Sequence, residues 1–121
     1  MTTGKDVARR MTGKPPGGLR EVSSLEAVID MLRKDIRDEA EAVRNYPQQA
    51  RAINRFVAQW HVRTEADGIA RGRLIQLVTA LDRIAREEKE HLRQFMETLS
   101  LISPDDWHKA EDEVVEITGM R

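Results

Sequence analysis

Between Leu74 and Ile102 an apolar residue returns every three or four positions, through Leu77, Val78, Leu81, Ile84, Ala85, Leu92, Phe95 and Leu99. That spacing follows the 3.6-residue turn of an α-helix; a strand, with its period of two, would scatter these side chains over both faces. The stripe predicts one amphipathic helix of about thirty residues, roughly 45 Å long. Glu88 stands inside it, and His91 follows one turn later on the same side, so a carboxylate and an imidazole can reach one metal ion. An ionisable group facing a core is costly unless something neutralises it, and a divalent cation does so efficiently.

An earlier segment has the same design. Leu25, Val28, Ile29, Leu32, Ile36, Ala40 and Val43 form a second stripe with Glu39 on it, while Asp38 and Glu41 turn to its flanks. Ser23-Ser24-Leu25-Glu26 fits a capping box and starts the helix there. Tyr46-Pro47 marks either a kink in one helix or a break between two, because proline lacks an amide donor and disfavours helical geometry before it. The periodicity continues beyond it through Ala50, Ile53, Val57, Trp60 and Thr64.

Thr64-Glu65-Ala66-Asp67-Gly68 reads as a turn. If Glu39 and Glu88 face each other across two antiparallel helices, the chain must reverse between residues 63 and 64, beside that turn. Ser103 as cap, Pro104 at the first helical position and the acids Asp105 and Asp106 predict a short last helix ending near Gly119. The expected fold over residues 23–121 is therefore all-α, a long antiparallel helical hairpin followed by a short C-terminal helix. Residues 1–22 set five basic side chains (Lys5, Arg9, Arg10, Lys14, Arg20) against Asp6 and Glu21, around a Gly/Pro-rich stretch. A flexible basic arm is expected there.

Composition narrows the chemistry. The 121 residues suit one domain, and the absence of cysteine removes disulfides, zinc–thiolate sites and iron–sulfur clusters, leaving oxygen and nitrogen as metal ligands. A net charge of −1 and 4% aromatics argue against nucleic-acid binding. No apolar run suggests a signal peptide or a membrane span, which makes the cytoplasm the default location. Trp60, Phe95, Met31 and Met96 are read as packing residues, His61 as a core or interface histidine, and Tyr46 as a core tyrosine with a hydrogen-bonded hydroxyl.

Carboxylate-bridged dinuclear centres in helical bundles take one Glu from each of two helices and Glu-x-x-His from each of two others. Glu39, Glu88 and His91 are half of that set, and two chains related by a two-fold axis would supply the whole. Asp38-Glu39-Ala40-Glu41-Ala42-Val43-Arg44-Asn45-Tyr46 followed by Arg86-Glu87-Glu88-Lys89-Glu90-His91-Leu92 resembles the ferritin-like superfamily, most closely the encapsulated ferritins. The resemblance implies a homodimer that completes a four-helix bundle, or a larger assembly of dimers. It implies a ferroxidase oxidising Fe(II) with dioxygen at a di-iron centre, for iron storage or detoxification, inside an encapsulin shell. Carried over, Glu39, Glu88 and His91 are the ligands, Tyr46 stands near the centre, and Asp38 and Glu41 handle arriving metal; manganese and zinc are the alternative ions. Two features depart from that family: the interval between the blocks is longer, and Glu116 to Arg121 do not resemble a shell-docking tail. The alternative expectation is a non-enzymatic helical dimer, a structural or adaptor protein with a metal-free or redox-inert polar core.

Overall fold

Three side-chain oxygens mark where helices begin. In the computed structural model, which describes residues 24–120, Ser24 accepts from the Ala27 amide, Thr64 from that of Asp67 and Ser103 from that of Asp106. Each satisfies an amide that the helix itself leaves without an acceptor. The helices they open are α1 (Leu25–Gln59), α2 (Glu65–Ile102) and α3 (Pro104–Thr118), and among the described residues there are no strands. The basic arm expected over residues 1–22 lies outside the described residues.

Two local expectations are corrected. Ser24, not Ser23, is the first cap, so the third helical residue is Ala27 and Glu26 is not placed to close a capping box. Thr64 to Gly68 is not a turn but a cap and first helical turn: the Asp67 carboxylate accepts from the Arg63 amide while Thr64 receives the Asp67 amide. The reversal lies just before, at Trp60 to Thr64.

Pro47 lies inside α1, which runs as one helix of 35 residues. An interior proline costs about 3 kcal/mol. Packing on both sides of it offsets that cost, since Val43 before it and Ala50 after it are both buried in clusters shared with α2. The α2 helix has 38 residues, about 57 Å at the standard rise, longer than its apolar stripe alone indicated.

The two long helices run antiparallel. Glu39 of α1 lies beside Glu88 and His91 of α2, whereas Ala50, further along α1, packs on Val78 and Leu81, further back along α2. The short α3 folds back over one side of this pair. Ala110 of α3 joins Ile36, Ala40, Val43, Leu92 and Leu99 in the main core, bordered by Trp107, Val114 and Ile117. Arg33 of α1 fastens it further, donating to Glu113 at 2.7 Å with Asp106 at 3.5 Å. Gly119 ends α3 in the left-handed region at φ 71°. Gly119→Ala is expected to cost about 1 kcal/mol in urea unfolding, because a Cβ is strained in that conformation.

The core is uneven along its length. At the α3 end three helices contribute to it, whereas near the reversal only Ala50, Val78 and Leu81 are buried in the second cluster, with Tyr46 and Ile53 alongside. Phe95 and Met96 border the main core as expected. Met31 (45% exposed), Leu77 (43%) and Ile102 (36%) do not belong to it, because these positions point away from the contacts among α1, α2 and α3. His61 is also exposed, not in the core: it sits in the short connection, where neither helix covers it. Among the described residues, no helix is long and apolar enough to cross a membrane.

Candidate metal centre

Glu39 follows Ile36 by three residues and precedes Val43 by four, so the stripe that buries those neighbours buries it as well. It is 6% exposed, the one buried charged residue among those described. Ala40, the next residue, lies about 100° around the helix, in the main core that α3 shares. Glu39 is thereby directed along the other side of α1, against α2. Glu88 meets it there from between Leu81 and Leu92, and His91 stands one turn further along α2.

One ligand atom from each of Glu39, Glu88 and His91 lies within 4.8 Å of the others. The His91 Nδ1 is 3.2 Å from Oε1 of Glu88 and 3.9 Å from Oε2 of Glu39. Exposure rises across the trio: the side chains are 7% exposed in Glu39, 17% in Glu88 and 49% in His91. The site is closed at the carboxylate end and open at the imidazole.

Burial pushes the Glu39 carboxyl up to about 8, helped first by the neighbouring Glu88 carboxyl, with which it can share a proton, then by the charges of Asp35 and Asp38. Its Oε2 is buried with no hydrogen-bond donor. A buried acceptor left in this state is costly, and either a proton or a cation relieves it. The donor set is two carboxylates and one imidazole, with no sulfur. Such a set suits iron, manganese or zinc.

The other residues singled out in the sequence lie outside this trio. Asp38 is exposed and pairs with Lys34 at 2.9 Å, and Glu41 is exposed on the outer side of α1. Tyr46 is half-buried beside Ala50, Val78 and Leu81, two helical turns from Glu39, so it is about 10 Å away along the axis. Asp35 was missed. It stands four residues before Glu39, one turn along the same side, and its charge acts more strongly on Glu39 than that of Asp38. The four-residue spacing was the available signal.

Searches for relatives add nothing to this geometry: no family model matches the chain, and neither does any curated protein or solved structure.

Proposed function

We propose that the chain is a ferritin-like ferroxidase whose di-iron site is completed by a second copy, Fe(II) being its substrate. The observation that carries this reading is the convergence of Glu39, Glu88 and His91 across two helices, with a buried carboxylate oxygen left without a donor. Glu39 and Glu88 would hold iron through oxygen, and His91 would add a nitrogen donor without further negative charge. Carboxylates tolerate iron in both oxidation states, so the same ligands serve before and after electron transfer. Two Fe(II) ions give one electron each to dioxygen, which takes up two protons and leaves as hydrogen peroxide. A proton held by Glu39 departs when a cation arrives.

One chain supplies only three donors, half of a dinuclear set. The side of α2 that carries Glu88 and His91 supports pairing of two copies. Leu77, Ile84 and His91 recur at seven-residue steps, and so do Leu81, Glu88, Phe95 and Ile102. Such a repeat is the seam of helices that pack side by side, and Leu81 and Phe95 on it already pack within the chain. Leu77 and Ile102 on this seam are exposed in the single chain. In this reading the dimer forms a four-helix bundle, with manganese or zinc as competing ions, in the cytoplasm either bare or as cargo of an encapsulin shell. The test is a titration of purified protein: about one iron bound per chain, two per dimer, with oxygen consumed on addition of Fe(II). A protein that does not bind iron in this ratio and leaves oxygen untouched overturns the proposal.

The contact between His91 and Glu88 at 3.2 Å favours a second reading. With a proton shared between Glu39 and Glu88 and the His91 imidazole beside them, the trio can stand as a metal-free polar network in a structural dimer. An unaltered dimer that takes up no metal after chelation would select that reading.

A further inference from the structure

The large apolar side chains that are more than half exposed, Leu25, Phe56, Ile69 and Leu101, lie at the two ends of the molecule, and among the described residues those ends carry opposite charge. At the reversal, Phe56, Val62 and Ile69 are 54%, 44% and 59% exposed. The Phe56 and Trp60 rings stand 5.3 Å apart, and together with Gln59, His61, Arg63 and Asp67 they line a shallow cup open to solvent. Residues 50–75 hold five arginines against two acids. None of these arginine side chains pairs with a carboxylate among the described residues, whereas Arg33, Arg37 and Arg93 all do.

The α3 end is the converse. Leu101 protrudes there, 80% exposed, with Leu25 at 59% beside the start of α1. Residues 97–119 hold seven acids against one lysine. Asp105, Glu111, Asp112 and Glu116 have no cationic partner among the described residues. Trp, Phe and Arg, the residue types of the first end, are the types enriched in protein interfaces and in their energetic centres.

We propose that the reversal end of one copy docks on the α3 end of the next, with Leu101 seated in the Phe56–Trp60 cup and the free arginines facing the free acids. The occupant of the basic end is a second copy because the same chain carries both the complementary charge and the protruding apolar side chain. A contact between two different surfaces is heterologous, so it propagates into a ring or a filament and does not stop at two. It uses neither the seam along α2 nor the metal ligands, and therefore stands apart from the ferroxidase reading.

Sedimentation of the full-length protein at low salt is expected to show species larger than a dimer that dissociate as salt rises to about 0.5 M, where the screening length falls to a few ångströms. Arg55→Glu with Arg71→Glu should weaken that association at least tenfold, and so should Glu111→Lys with Asp112→Lys. All four changes in one chain should restore it, since the two ends again attract. Leu101→Asp should abolish it. Helix content by circular dichroism and metal per chain should be unchanged in every variant. Failure of wild-type protein to associate beyond a dimer, association that the arginine substitutions leave intact, or failure of the fourfold exchange to restore it would overturn the proposal. So would a dimer whose basic end binds only vesicles of anionic phospholipid.

Discussion

The metal-free protein should become less stable as pH rises from 4.5 to 8, by about 3–5 kcal/mol in urea unfolding. The sign follows from where the proton of Glu39 goes. In the unfolded chain the carboxyl ionises near 4.5, whereas in the folded chain it keeps its proton to about 8. Between those values the folded state binds the extra proton, so each increase in pH favours unfolding. The stability contributed by burying a neutral Glu39 is fully present below 4.5 and gone above 8. Glu39→Gln removes this titration and should leave a nearly flat profile over the same window. Added divalent cation should reverse the loss at pH 8 in the wild-type protein but not in Glu39→Gln. A wild-type profile as flat as that of the variant would mean that Glu39 is solvated in the native molecule.

Glu88→Ala should reduce Fe(II) oxidation by a factor of at least about a hundred while helix content is preserved. Glu88 is the side chain through which the other two meet: His91 is 3.2 Å from it and 3.9 Å from Glu39. Without it the remaining donors are a buried carboxyl and a half-exposed imidazole, too few to hold two ions. Its side chain is 17% exposed, so Glu88→Gln, which keeps the shape, serves as a second variant, and in both the loss should appear in oxygen uptake and iron stoichiometry. Oxidation at the unmutated rate would remove the ferroxidase reading.

Much of this architecture was legible in the residues because helical periodicity is a strong local signal. The α2 stripe, the Ser103-Pro104 start and the Gly119 stop each depend on neighbours within a few positions. Glu39, Glu88 and His91 were recoverable for the same reason, since a charged residue inside an apolar stripe is visible without knowing what it touches. Features that depend on tertiary packing were harder to see. Whether Pro47 broke α1 was decided by α2 lying across both halves of the helix. Met31, Leu77 and Ile102 look like core residues from composition but sit where no neighbouring helix covers them. Thr64 to Gly68 misled because threonine, aspartate and glycine suit a turn and a helix cap equally, and the hydrogen bonds between Thr64 and Asp67 and between Arg63 and Asp67 select the cap.

The imbalance between a three-helix half and a two-helix half sets how the molecule breathes. Amide protons between Ala50 and Leu81 are guarded by a thinner layer of side chains than those near Leu99, so solvent should exchange with the former through partial openings that leave the latter shut. Glu39 lies among side chains of the thicker half and Glu88 between the two, so an ion gripped by both would act as a rivet that keeps α1 and α2 shut at the edge of the thicker half.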